Sequence, residues 1–186
     1  MIFLIAGLVL WCGVHLIPTL ATGLRRNLIN KLGLRPYKGA FALLIITSIV
    51  FIVFGWRSVE PADIYLPPLW GRDVTYFLVL LMFILFVAAK RKTNIKRIFR
   101  HPQLTGVMLW SIGHLLANGD NRSLVLFTGI GTWAILEMLL INHRLGKWVR
   151  PDPVPVRSDL LTLAIGIVLY GVVLMAHPYL SGVSLL

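Results

Sequence analysis

RHPQLTGVMLWSIGHLLANGD, at residues 100–120, decides the fold predicted for the chain. It begins with a basic residue and a proline, continues as an apolar stretch, and ends in an Asn-Gly-Asp turn. Because it has the length and composition of a membrane span, it predicts a transmembrane helix. His114 lies inside this helix, one turn after Trp110. A histidine at such depth has no water for its ring nitrogens, so the sequence predicts a functional role and a polar partner.

Composition extends this prediction to the whole chain. The 186 residues are 58% hydrophobic and only 13% charged, and the mean hydropathy is +0.83. These values are typical of polytopic membrane proteins and not of soluble domains. The predicted fold class is therefore all-α, an integral membrane bundle of about six transmembrane helices. The single cysteine, Cys12, lies in the first span and excludes an internal disulfide framework.

The apolar runs predict one transmembrane domain over residues 1–186. The predicted spans are residues 2–21, 39–56, 74–89, 102–118, 123–142 and 160–179. The first continues too far for a cleavable signal peptide and is predicted to remain. The third is uniform Leu, Phe and Val and is predicted to face lipid. Basic loops at 25–38, 90–100 and 144–157 separate the spans on one side, and PDPVP at 151–155 is too rich in proline to be helical.

The distribution of charge gives an orientation. Fifteen of the 18 Lys and Arg residues lie in the three loops that follow the odd-numbered spans. The positive-inside rule places these loops in the cytoplasm and both termini on the opposite side. A net charge of +11 in short loops suits anionic lipid headgroups. It does not indicate nucleic-acid binding, because the basic residues form no amphipathic face beside exposed aromatics.

One local pattern recurs in three spans: a glycine, a tryptophan four residues later, and an ionisable residue four residues after that. The three stripes are Gly7-Trp11-His15, Gly106-Trp110-His114 and Gly129-Trp133-Glu137. Residues four apart share one side of a helix, so each stripe presents a gap, an indole and a ligand-type side chain. At about 1.5 Å per residue, the first and third stripes end at similar depth and the second about 8 Å further out. The sequence thus predicts one cavity that the three side chains line.

Each candidate residue also has a purely structural interpretation. His15 and His114 can be metal ligands or can form interhelical hydrogen bonds. Glu137 needs protonation or a partner, and a histidine or an arginine is the candidate. His101 either begins a helix at the interface or binds an anion. His143 and His177 are predicted to be interfacial.

Hydrolytic chemistry has little support in the sequence. The chain lacks HExxH, Gly-x-Ser-x-Gly, a phosphate loop, CxxC and GxGxxG motifs. Asp120 is either a catalytic acid or part of a turn, and Asn-Gly-Asp between helices favours the turn.

Several motifs together resemble the NnrU family of bacterial inner-membrane proteins. They are LRRNLINKLG, PYKGAF, RHPQLTGVMLWSIGHLLANGD and LVLFTGIGTWA. The resemblance covers nearly the whole chain. It implies a multi-pass protein of the inner membrane, with both termini periplasmic given the charge distribution, and an association with denitrification and nitric oxide metabolism.

This family also looks related to plant 15-cis-zeta-carotene isomerase, which uses a histidine-ligated heme b to isomerise a double bond. That similarity implies a heme b in a helical bundle. His15, His101 and His114 stand at matching motif positions, and His15 and His114 are the predicted iron ligands. Trp11, Trp110 and Glu137 join them as predicted cofactor-binding residues. A hydrophobic or diatomic small molecule is the predicted ligand, and the chain is isomerase-like if it is an enzyme.

A second resemblance gives the alternative. Arg-His-Pro at a helix entrance, followed by Gly106, Trp110 and Gly113, is similar to membrane methyltransferases of the isoprenylcysteine carboxyl type and to sterol reductases. The acidic pair and the tyrosine and arginine arm that close their cofactor pocket are missing here. The alternative function is a methyltransferase-like or non-catalytic accessory protein without heme.

Overall fold

Helices account for most of the chain. The computed structural model describes residues 1–182, without the side chain of residue 180. The helices in this part are α1 (Ile2–Leu20), α2 (Thr22–Leu32), α3 (Leu34–Arg57), α4 (Gly71–Lys90), α5 (Pro102–Ala117), α6 (Asn121–Leu145) and α7 (Val156–Ser181), with a short 3₁₀ helix at Asn94–Arg97. These helices belong to two compact units. Unit 1 contains α1, α2, α3 and α6, and unit 2 contains α4, the 3₁₀ helix, α5 and α7.

Five of these helices are long and apolar enough to cross a membrane: α1, α3, α4, α6 and α7. The all-α polytopic class predicted from composition is therefore confirmed. The span predicted at 102–118 forms α5, which has 16 residues. At about 1.5 Å per residue, α5 is about 24 Å long and shorter than a hydrocarbon core of about 30 Å. The sixth crossing stays a prediction.

In unit 1, α1 packs against α3 with almost no space between the backbones. A β-carbon on Gly7 would lie 2.8 Å from the carbonyl oxygen of Ser48. A β-carbon on Gly55 would overlap the backbone of Leu4, a residue that is fully buried. Glycine at these two positions therefore permits the close approach of the two helices, as small residues do in membrane proteins.

The basic segment after the first span is helical, so its prediction as a loop at 25–38 is wrong. Pro18 lacks an N–H group inside α1. The helix ends two residues later at Leu20, and the next residue, Ala21, has φ −110° and ψ 52°. α2 follows at once and carries Leu24, Leu28 and Leu32 at intervals of one turn. Gly33 has φ +85°, which favours glycine, and separates α2 from α3. Three of the five basic residues of this segment thus lie on an amphipathic helix, and the other two lie at the start of α3.

In unit 2, α4 contacts both α5 and α7. Met82, Leu85 and Ala88 on α4 are buried, and a β-carbon on Gly166 of α7 would lie 2.8 Å from the Cα of Ile84. The prediction that this uniform apolar span faces lipid is therefore wrong. Composition could not show this because buried and lipid-facing residues are equally apolar.

A polar cluster joins α7 to the segment that follows α4. The carboxylate of Asp159 accepts hydrogen bonds from the hydroxyl of Thr93 at 2.5 Å and from the amide nitrogen of Asn94 at 2.6 Å. The Asn94 side chain also bonds both ways with the backbone of Val154, at 2.7 and 3.0 Å. These bonds hold the proline-rich segment 151–155, which is not helical, as predicted.

The close approach at Gly55 gives a stability prediction. Gly55→Ala forces α1 away from α3 and should lower the free energy of unfolding by about 1–3 kcal/mol, the usual cost of overpacking. The measurement is thermal unfolding in detergent, followed by circular dichroism. Gly13→Ala is the matched control, because nothing lies within 4 Å of a β-carbon there. Equal unfolding temperatures for the two variants would contradict the proposed close contact.

Candidate functional site

Two of the three predicted stripes meet in unit 1, where α1 contacts α6. The ring centroids of Trp11 and His15 on α1 lie 4.2 Å apart. Trp133 on α6 lies 4.9 Å from His15 and 5.6 Å from Trp11, edge to face with both. Together with Glu137, one turn further along α6, these residues form what we call the α1–α6 cluster. The sequence pattern therefore identified side chains that do come together.

The orientation of His15 is fixed by its own helix. Its Nδ1 lies 2.9 Å from the carbonyl oxygen of Trp11. A carbonyl oxygen only accepts, so Nδ1 carries the proton and the lone pair of a neutral ring is on Nε2. Phe41 of α3 packs edge-on against the ring at 5.7 Å. His15 is thus a half-buried imidazole between aromatic rings, with Nε2 as its potential metal-binding atom.

Glu137 is only 7% exposed, and its partner is neither a histidine nor an arginine. Its Oε1 accepts a hydrogen bond from the hydroxyl of Thr19, which is itself buried. The sequence predicted a histidine or an arginine as this hydrogen-bond partner, and that prediction is wrong. The sequence nevertheless contained a signal for Thr19, because Gly7, Trp11, His15 and Thr19 continue one stripe at intervals of four residues.

Three polar atoms of the α1–α6 cluster are buried without a hydrogen-bond partner among the described residues. They are the indole nitrogens of Trp11 and Trp133 and the Oε2 of Glu137. Buried polar groups are nearly always paired, so an unpaired set in one place indicates a bound water or ligand. Two of the atoms are donors, and the third accepts as a carboxylate or donates when protonated.

The glycines of the stripes serve helix packing. A β-carbon on Gly129 would lie 3.1 Å from the side chain of Leu8, and Gly7 faces α3. In unit 2, a β-carbon on Gly106 would lie 2.9 Å from the ring of Phe86. The prediction that each stripe presents a gap at its glycine is therefore wrong, because neighbouring side chains or backbones fill these spaces.

The second stripe lies in unit 2. His114 has the same local geometry as His15, with Nδ1 2.9 Å from the carbonyl oxygen of Trp110 and ring centroids 4.8 Å apart. His101 immediately precedes Pro102, the first residue of α5, and its carbonyl oxygen accepts a hydrogen bond from Thr105. His101 therefore directly precedes this helix, and its predicted role in binding an anion or cofactor stays a prediction. That His15 and His114 share one ligand stays a prediction.

Asp120 caps α6. Its Oδ1 accepts from the backbone nitrogens of Arg122 and Ser123 at 3.1 and 3.0 Å, and its Oδ2 accepts from the Ser123 hydroxyl at 2.5 Å. Burial alone raises the pKa of Asp120, but the hydrogen bonds from Ser123 and the Arg122 charge outweigh it and lower the pKa below its ordinary value. The Asp120 carboxylate therefore has a structural role in the turn before α6, as the Asn-Gly-Asp sequence predicted.

Comparison with known proteins places the whole chain in one family. The family model described as NnrU protein matches residues 3–185. The chain belongs to the NnrU family. Curated proteins and solved structures gave no match. The NnrU membership predicted from the motifs is confirmed, and the family match includes both the α1–α6 cluster and the His101–His114 segment.

Loss of the Asp120 cap should destabilise the protein at neutral pH. Asp120→Ala should lower the free energy of unfolding by about 1–2 kcal/mol, the usual value for an N-cap. Because its pKa is lowered by folding, the contribution is complete above the unfolded-state pKa of about 3.9. It is lost as the pH falls through the folded pKa. Thermal unfolding between pH 7 and pH 3 measures this, and the wild type and variant should converge at low pH.

Asp152→Ala, at an exposed position, is the control for loss of one carboxylate. It should match the wild type throughout this pH range. An Asp120→Ala variant as stable as the wild type at pH 7 would contradict the capping role.

The Thr19–Glu137 pair gives a double-mutant test. Thr19→Val leaves both oxygens of Glu137 without a partner and should cost about 1–3 kcal/mol. Thr19→Val with Glu137→Leu removes the buried carboxyl group as well and should recover most of that loss. Thermal unfolding in detergent provides the comparison. A double variant as unstable as Thr19→Val alone would show that the cost does not come from the unpaired carboxyl group.

Proposed function

We propose that this NnrU protein binds heme b and that His15 supplies an axial ligand to the iron. The observation that supports this most is the bond from Nδ1 of His15 to the carbonyl oxygen of Trp11, at 2.9 Å. Metal-bound histidines usually donate their other ring N–H to a carbonyl or carboxylate oxygen, which fixes the ring and its tautomer. His15 has this arrangement within its own helix.

The surroundings of His15 also fit such a ligand. Trp11, Trp133 and Phe41 provide apolar rings around the imidazole, as heme sites commonly require. The buried indole nitrogens and the Glu137 oxygen leave hydrogen-bonding groups for a ligand or water near this ring. A heme iron needs only one or two protein ligands, so a cluster of three metal ligands is not required. The described residues contain no group of three or more His, Cys, Asp or Glu side chains placed to hold a metal ion.

His114 is the residue we propose as the second ligand, on the basis of the motif resemblance and of its matching Nδ1 bond to Trp110. When bound, heme b supplies an iron that changes oxidation state or takes up a diatomic molecule. We propose that the protein uses it in nitric oxide metabolism or in double-bond isomerisation, with a diatomic or hydrophobic ligand. We further propose the bacterial inner membrane as its location, with both termini periplasmic, from the charge distribution.

An optical spectrum tests the proposal. Protein purified in detergent from heme-replete cells should show a Soret band that shifts on reduction. Loss of a residue that only hydrogen-bonds to a metal ligand lowers metal affinity by about 10–100-fold. His15→Ala removes a proposed ligand itself and should lower heme occupancy by more than this. His114→Ala should change the Soret position or remove the band.

His143→Ala is the matched control, because His143 is exposed in the last turn of α6. Its spectrum should equal that of the wild type. A colourless wild-type preparation would contradict the proposal and favour the accessory or methyltransferase-like alternative. A His15→Ala variant with an unchanged Soret band would exclude His15 as a ligand.

A further inference from the structure

A small pocket lies in unit 1 where α1 ends and α3 begins. Its volume is about 200 Å³, and it is open to the surface. The lining residues are Pro18, Arg25, Tyr37, Lys38 and Phe41. Binding sites for drug-sized ligands have volumes of roughly 300–1,000 Å³, so this pocket suits a smaller group than a heme.

The pocket is basic, and no carboxylate in the described chain neutralises its cations. The guanidinium of Arg25 lies over the ring of Tyr37, 6.0 Å from its centroid. The chain has no Asp or Glu before Glu60. Among the described residues, neither Arg25 nor Lys38 forms an ion pair. The two cations therefore create a local positive potential that attracts an anion.

Tyr37 adds an unused hydrogen-bond donor. Its hydroxyl oxygen is buried and has no hydrogen-bond partner among the described residues. Leaving such a group unpaired is costly, and Tyr37 lines the pocket, so an acceptor bound beside its ring would satisfy this hydroxyl group. A phosphate offers several acceptor oxygens and forms strong bonds with charged donors.

The position of the pocket along the helices indicates headgroup depth. The apolar span of α1 ends at Leu20, and α2, which begins at Thr22, carries both basic residues and exposed leucines. Amphipathic helices of this kind lie at the boundary between headgroups and acyl chains. Pro18 and Phe41 are the apolar part of the lining, so the pocket offers both cations and an apolar surface.

We propose that this pocket is a specific binding site for the phosphate of an anionic phospholipid. Arg25 and Lys38 bind the phosphate, the Tyr37 hydroxyl donates a hydrogen bond to one of its oxygens, and Phe41 and Pro18 contact the start of the acyl chains. This site is separate from the proposed heme ligand His15. It also differs from general attraction of a basic surface to lipid, because only these residues line it.

Native mass spectrometry of protein released from nanodiscs tests the site. The nanodiscs contain phosphatidylcholine with a minor fraction of phosphatidylglycerol, and the readout is phosphatidylglycerol retained per chain. Arg25→Gln with Lys38→Gln should lower retention at least about tenfold, since the phosphate loses its hydrogen bonds to two charged donors. Tyr37→Phe, which removes one hydroxyl group and no charge, should lower it by about threefold or more.

Arg26→Gln with Lys31→Gln is the matched control. It removes the same two positive charges, both from α2, at exposed positions that do not line the pocket. Retention by this control should stay within about twofold of the wild type. Equal losses in the two double variants would overturn the proposal in favour of a diffuse field, and unchanged retention in Tyr37→Phe would overturn the role of its hydroxyl.

A competition experiment distinguishes the sources of phosphate. Inorganic phosphate at millimolar concentration should leave retention of phosphatidylglycerol unchanged, because it lacks the acyl chains that contact Phe41 and Pro18. Displacement by inorganic phosphate would overturn the assignment to a lipid. Heme content, measured on the same samples, should be equal in all variants, so failure of the lipid site and failure of heme binding are separable.

Discussion

Contact between helix backbones at glycine determines the arrangement of unit 1. Lipid tails are as apolar as leucine, so membrane helices gain little from apolar burial and depend on close packing. Gly55 brings α3 onto the backbone of Leu4, and Gly7 brings α1 onto Ser48. Gly129 then accepts the side chain of Leu8, and α6 is held against α1. The rings of the α1–α6 cluster meet only because these contacts fix both helices.

The polar groups of the α1–α6 cluster follow from the same constraint. Once α1 and α6 are close, a buried carboxyl group on one of them needs a polar partner, because bulk water does not enter the hydrocarbon core. Thr19 supplies one hydrogen bond to Glu137, while two indole nitrogens and the second carboxyl oxygen have no partner among the described residues. Buried polar atoms without partners are rare, so three of them in one cluster indicate a bound water or ligand. This imbalance supports the proposed ligand near His15 more strongly than the histidine alone does.

The sequence predicted the class of fold and part of the site, and its errors have physical reasons. Hydropathy identified the apolar spans because they must be apolar wherever they lie. It could not distinguish the buried face of α4 from a lipid-facing one. The four-residue stripes identified Trp11, His15 and Glu137 because helical spacing is local. The bond between Asn94 and Asp159 joins residues 65 positions apart and had no local signal.

One turn of α1 connects the buried cluster with the basic pocket. Pro18 lines the pocket, while the next residue, Thr19, is buried and bonds to Glu137. The carbonyl oxygen of Pro18 accepts a hydrogen bond of 2.7 Å from Arg144, the residue before the last one of α6. The same proline lies inside the last turn of α1 and removes one backbone donor there. Because these contacts involve two successive residues, a shift of the chain at the pocket must also move the donor to Glu137. A lipid phosphate held at Arg25 would therefore hold the end of α1, and with it the polar side of the α1–α6 cluster, in place.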